Sequence, residues 1–136
     1  MDFLKSLAIA ASGLRAQSGR MRVIAENVAN ADTTPTRPGE QPYRRKVVTF
    51  QQKLDNELGV STVQLGQIKR DRSEFKTRFE PGNPLADARG FVQKPNVDTM
   101  METLDLREAQ RSYEANLNVI STTRRMLART LEILRA

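Results

Sequence analysis

Two heptad stripes, one near each end of the chain, constrain the fold more than any other feature. Near the N-terminus Leu4, Leu7, Ala11, Leu14, Ser18, Met21, Ala25 and Val28 follow one another at alternating spacings of three and four. Near the C-terminus Leu106, Gln110, Tyr113, Leu117, Ile120, Arg124, Leu127, Leu131 and Leu134 keep the same rhythm. An apolar repeat of about 3.5 residues is what two helices need to hold their seams face to face. Neither stripe has a partner beside it in sequence, so each must find one far along the chain or on another molecule.

Both stripes lie in segments built to be helical. Residues 2–31 are rich in Ala, Leu, Arg, Gln and Met, all good helix formers. Gly13 and Gly19 each weaken that helix by about 1 kcal/mol relative to Ala. Such a helix is marginal alone. Asn30 is expected to end it, because Asn tolerates the left-handed conformation. The second helix is expected from Thr99 to Arg135, uninterrupted by Pro or Gly. Thr99 and Glu102 have the spacing of a capping box, each side chain satisfying the other's amide.

Between them the chain changes character. Thr33, Thr34, Pro35, Thr36, Pro38, Gly39 and Pro42 dictate an extended loop. Residues 45–50 are β-branched and aromatic, with Val48 and Phe50 on one face. Val63 and Leu65 alternate, and Gly66 marks a bulge before Ile68 comes out of phase. Phe75, Thr77 and Phe79 alternate with Lys76 and Arg78 as a half-buried antiparallel strand. Glu80-Pro81-Gly82-Asn83-Pro84 is a turn, and Phe91-Val92 a short strand before Pro95. The middle carries only sixteen large apolar side chains. That is near the lower limit for an independent core and cannot bury both stripes.

The predicted fold is therefore mainly α with a small β-rich middle. Long N- and C-terminal helices form an antiparallel coiled-coil-like pair, with short β-strands between. Three units follow: residues 1–31, 32–98 and 99–136. The predicted assembly interface is Leu4, Leu7, Leu14, Met21 and Val28 with Leu106, Tyr113, Leu117, Ile120, Leu127, Leu131 and Leu134. Within it Leu7, Leu14, Met21 and Val28 are expected to pack against Leu117, Ile120, Leu127 and Leu131. Gln110 and Arg124 in the seam would specify register at some cost in stability.

Composition argues against chemistry. With no Cys there are no disulfides, thiolates or sulfur-ligated metals, and with no His the commonest general base is missing. Asp55 with Glu57, or Glu80 with Asp87, could form an acid/base pair, but nothing places them in a pocket. No metal-loop or phosphate-loop pattern is present, so neither an enzyme nor a cofactor is expected. The net charge of +6 is spread along the chain. The densest basic run, Tyr43-Arg44-Arg45-Lys46, would suit phosphate contacts with one stacking ring. That leaves a small basic nucleic-acid-binding or coiled-coil adaptor as the alternative to an assembly subunit, with no nucleic acid expected in the leading reading. The apolar run 3–14 carries Lys5 and falls far short of the ~20 residues that span a bilayer. A chain of this kind is expected not to span a membrane and to be exported, if at all, without a cleavable signal peptide.

Several motifs agree in order and spacing with one family. Ser12-Gly13-Leu14-x-Ala16-Gln17, followed by Asn27-Val28-Ala29-Asn30-Ala31-x-Thr33-Thr34, resembles the N-terminal signature of bacterial flagellar rod and hook axial proteins. Pro42-Tyr43-Arg44-Arg45-Lys46, Pro81-Gly82-Asn83-Pro84-Leu85-Ala86-Asp87-Ala88-Arg89-Gly90-Phe91-Val92, Pro95-Asn96-Val97 and Arg111-Ser112-Tyr113-Glu114-Ala115-Asn116 extend the resemblance over essentially the whole chain, toward the proximal-rod members. The resemblance implies a structural subunit of the proximal rod of the flagellar basal body, stacked helically and transmitting motor torque. It implies paired terminal helices along the rod interior and the β-rich part outside. The implied partners are copies of itself, other rod proteins, inner-ring or rod-base adaptor proteins and the flagellar type III export apparatus. The implied location is the periplasm-spanning rod, reached by export in unfolded form.

Overall fold

The structure, a computed structural model, describes residues 2–136; Met1, which begins the expected N-terminal unit, lies outside the described residues. Helix α1 runs Phe3–Ala29 and helix α2 runs Thr99–Arg135. Between them lie six short strands: β1 (Lys46–Val47), β2 (Phe50–Asp55), β3 (Val60–Leu65), β4 (Lys69–Arg70), β5 (Lys76–Phe79) and β6 (Phe91–Lys94). The chain is mainly helical with a β-rich middle.

The strands form two antiparallel ribbons rather than one sheet. β2 pairs with β3 from Phe50↔Leu65 to Asp55↔Val60, and β1 pairs with β4 through Lys46↔Arg70 and Val47↔Lys69. These two ladders are one long hairpin with a break. Between Val47↔Lys69 and Phe50↔Leu65, two residues on one strand face three on the other, which is the bulge that Gly66 signals. The Gly66 amide donates to Thr49 O at 2.7 Å, and a Cβ there would sit 2.7 Å from Thr49 Oγ1. At the hairpin tip Asp55 Oδ1 accepts from the amides of Glu57 and Leu58, and Gly59 takes φ +63°. The second ribbon pairs β5 with β6 from Lys76↔Lys94 to Phe79↔Phe91, closed by an edge-on contact of the two Phe rings at 5.3 Å.

Four local expectations need correction. Residues 45–50 do not form one strand; β1 and β2 are separate, and Phe50 is exposed. Strand β5 is exposed along its whole length, not half-buried; the ribbon buries Val92 of its partner β6 instead. The cap of α2 is Asp98, whose Oδ1 accepts from the amides of Met100 (3.0 Å) and Met101 (3.4 Å). Glu102 does not reach back as a capping box requires. It turns inward instead. At the end of α1, Asn30 has φ −101°, not left-handed; its side chain donates to Glu26 O at 2.8 Å.

The helices run antiparallel, with contacts seven residues apart along α1 and six and eight apart along α2. Asn27 lies opposite Glu102, Arg20 opposite Glu108 and Gly13 opposite Asn116. Farther along α2, Thr123 is buried. The core is small: Ala10, Ala16, Val23, Ile24 and Ala31 of the N-terminal segment, Ala109 of α2, and Val92 and Val97 beneath the second ribbon. The long hairpin lies along α1. Val63 donates its amide to Ser12 Oγ at 3.2 Å, and Leu65 covers Gly19 so closely that a Cβ there would come within 2.1 Å of it.

Candidate assembly surface

The seam between α1 and α2 is built from small and polar residues. On α1 the buried positions are Ala10, Ser12, Gly13, Ala16, Val23, Ile24 and Asn27, with Ser12 turned to the hairpin; on α2 they are Glu102, Ala109 and Thr123. A Cβ on Gly13 would lie 2.7 Å from the Asn116 amide oxygen, so glycine here lets the helices approach closely.

One end of the seam closes on a polar cluster. Asn27 and Glu102, each 1% exposed, are joined at 3.1 Å from Asn27 Nδ2 to Glu102 Oε2. Asn27 Nδ2 also donates to Lys46 O at 2.8 Å, while its oxygen accepts from Tyr43 OH and the Lys46 amide, both at 2.9 Å. The Arg45 guanidinium pairs with Glu102 and lies 3.5 Å from Asp71 and 3.6 Å from Asp105. Asn96 accepts from the Arg45 amide at 2.7 Å and donates to Asp71 O, Ser73 O and Ser73 Oγ. Both helices, the long hairpin and the segment before α2 therefore meet at one cluster.

The electrostatics follow from these contacts. Burial works against the charge on Arg45, but the Glu102 hydrogen bond and charge outweigh it and hold the guanidinium more firmly protonated. Burial raises the Tyr43 hydroxyl. The Ser73 amide holds Asp71 below the usual carboxylate range. Lys46 hydrogen-bonds Glu26 at 2.9 Å, which raises the amine and lowers the carboxyl. Because Glu102 is so deeply buried, removing Arg45 alone would leave an unpaired charge, a loss on the order of 3–5 kcal/mol.

This corrects the reading of the basic run. Tyr43, Arg45 and Lys46 are spent on Asn27, Glu102 and Glu26, and Arg44 lies over the Phe75 ring at 4.2 Å while donating to Asp71 O and Ser73 O. The run is a fold junction rather than a phosphate-binding face.

The apolar stripes lie beside the seam, half of their residues partly buried and half exposed. On α1, Leu7, Leu14 and Met21 are half-buried, while Leu4 and Val28 are exposed. On α2, Leu106, Tyr113 and Ile120 flank the seam half-buried, and Leu117, Leu127, Leu131 and Leu134 are exposed. Gln110 and Arg124 also face outward. Of the residues expected to pack on one another, Leu7, Leu14, Met21 and Ile120 are thus half-buried, while Val28, Leu117, Leu127 and Leu131 stay open to solvent. Small and polar residues at the same sevenfold spacing take the seam, because they allow a tighter approach. Sequence reasoning missed Asn27, Asn96, Glu102 and Asn116. The signal was available: residues 13, 20 and 27, and 102, 109, 116 and 123, form heptad rows of their own.

Beyond Thr123 the seam runs out. By the same register α1 begins opposite Met126, so the last turns of α2 project past it, with Leu131 53%, Ile133 75% and Leu134 77% exposed. On the other side of α1 an open groove of about 1020 Å³ separates the helix from the hairpin tip, with Ala8, Ala11 and Ala16 among its lining. Among the described residues no acid cluster could hold a metal ion, and no helix is long and apolar enough to cross a membrane.

Comparison with known proteins decides the family. Residues 7–35 match the family described as "Flagella basal body rod protein", and residues 88–133 the family described as "Flagellar basal body rod FlgEFG protein C-terminal". A flagellar basal-body rod protein FlgC of Agrobacterium fabrum is 49% identical over 94% of this chain and 92% of its own length. Proteins of the same name from Salmonella typhimurium and Bacillus subtilis are 44% and 41% identical, each over 98% of this chain. The chain belongs to the flagellar basal-body rod protein family. The rod-protein matches fall on the elements that carry the exposed stripes: the first spans most of α1, and the second spans β6 and nearly all of α2.

Proposed function

We propose that this rod-family protein is a structural, non-enzymatic subunit of the proximal rod, assembling helically with copies of itself and other rod proteins to transmit motor torque. Residues 1–31 and 99–136 form the rod core, and residues 32–98 face outward toward inner-ring or rod-base adaptor proteins. The subunit reaches a periplasm-spanning position through the flagellar type III apparatus, without cleavage of a signal peptide. The absence of Cys suits passage in unfolded form into an oxidising space.

One observation carries the reading. After the helices have closed on each other through small and polar residues, most of the apolar heptad stripe on α2 is still exposed. An unsatisfied stripe of this length asks for more helices, and heterologous contacts that do not close build filaments. The interface is assigned to Leu4, Leu7, Leu14, Met21 and Val28 with Leu106, Tyr113, Leu117, Ile120, Leu127, Leu131 and Leu134.

The test is charge insertion on the exposed stripe. Leu127→Asp and Leu131→Asp should leave export intact and abolish rod assembly and swimming. Normal swimming by both variants would end the proposal.

A further inference from the structure

We infer that the Asn27–Arg45–Glu102 cluster is the register determinant of the helix pair and so fixes how far α2 projects beyond α1. The apolar heptads cannot do this. Sliding one helix past the other by seven residues, about 10 Å, matches every heptad position to an equivalent one. The small seam residues do not forbid it either: one such slip sets Gly13 against Ala109 and brings Arg20, now 3.6 Å from Glu108, opposite Glu102. A slipped pair would therefore keep a close seam and even regain an ion pair.

The cluster is what such a slip destroys. Asn27 uses its amide nitrogen on Glu102 and Lys46 O, and its oxygen on Tyr43 and the Lys46 amide. A slip in either direction takes Glu102 out of reach of Asn27 and Arg45; where Arg20 takes the carboxylate over, Asn27 and Arg45 still lose their shared buried partner. Buried polar groups at single seam positions commonly set register at the expense of stability. The junction also ties the register to the rest of the chain, since Arg45 and Asn96 fasten the long hairpin and the start of α2 at the same point.

The consequence lies at the opposite end of the molecule. With the register fixed, α2 extends past the start of α1 by about nine residues; a slip would change that reach by about 10 Å. The register itself is independent of the rod reading, while the importance of the reach rests on it.

The natural lack of Cys permits a direct measurement. Spin labels at Ser18→Cys and Thr130→Cys, both exposed, report the axial offset of the helices in the full chain, frozen with trimethylamine N-oxide to favour the compact state. The parent should give one distance. The apolar variant Asn27→Leu/Arg45→Met/Glu102→Leu should keep its helical circular dichroism and give a second distance displaced by about 10 Å. If that variant loses helicity, the milder Arg45→Met/Glu102→Gln is measured in its place with the same expectation. A single unshifted distance in a folded variant overturns the inference, as does loss of helicity in both variants or a broad distribution in the parent. Swimming is scored separately: a register shift in a still-motile cell would sink the importance of the reach and leave the register assignment standing.

Discussion

At the scale of single residues, the chain places its least conspicuous side chains where they matter most. Gly13 reads in sequence as a weak point in a helix, yet it sits directly against α2, with the Asn116 side chain occupying the space a Cβ would need. In an exposed helix, replacing Gly would gain up to about 1 kcal/mol of propensity. Here Gly13→Val should instead destabilise by about 1–3 kcal/mol, because Asn116 must move and the β-branched carbon has one rotamer to offer. Urea midpoints of parent and variant at equal slope measure this. A midpoint unchanged or raised would mean that the seam yields freely and that Gly13 is not a packing residue. Asn27 illustrates the same point with polar chemistry: a small amide makes four hydrogen bonds to three residues, Tyr43, Lys46 and Glu102, which no aliphatic residue at that position could do.

At the scale of elements, both helices were legible in the sequence to within two residues at each end, because long periodic segments without Pro override local ambiguity. The bulge at Gly66 was legible too. What could not be read was which face of each helix turns inward. Periodicity assigns the largest apolar residues to the nearest seam, whereas here the stripe of Leu4, Val28, Leu117 and Leu131 faces out and Gly13, Asn27, Glu102 and Ala109 face in. A sequence with two heptad rows per helix does not say which row is satisfied within the chain and which by neighbours. The N-terminus of α2 shows a similar ambiguity, since Asp98 and Thr99 both suit a cap. The Asp98 carboxylate makes the bonds, so Asp98→Ala should cost about 0.5–2 kcal/mol. Thr99→Ala should stay within about 0.5 kcal/mol. Paired thermal melts distinguish the two, and a larger loss at Thr99 would restore the capping box.

At the scale of the whole molecule, stability and assembly occupy different lengths of the same helix. The contacts between the helices run from Asn27 to Gly13 on α1 and from Glu102 to Asn116 on α2, and Thr123 is the last buried residue of α2. The last turns of α2 contribute no buried residue and carry three arginines, one glutamate when counted from Arg125, and the exposed Leu131, Ile133 and Leu134. Removing residues 128–136 should therefore change the stability of the subunit by less than about 1 kcal/mol. The same deletion should abolish incorporation into the rod, because the projecting apolar face is what neighbours would cover. Circular dichroism melts of the truncated chain and motility of cells carrying it separate the two effects. Cooperative unfolding lost with the tail would show that the projecting turns belong to the fold. Motile cells would show that assembly proceeds on the remaining stripe, from Leu106 to Leu127, without them.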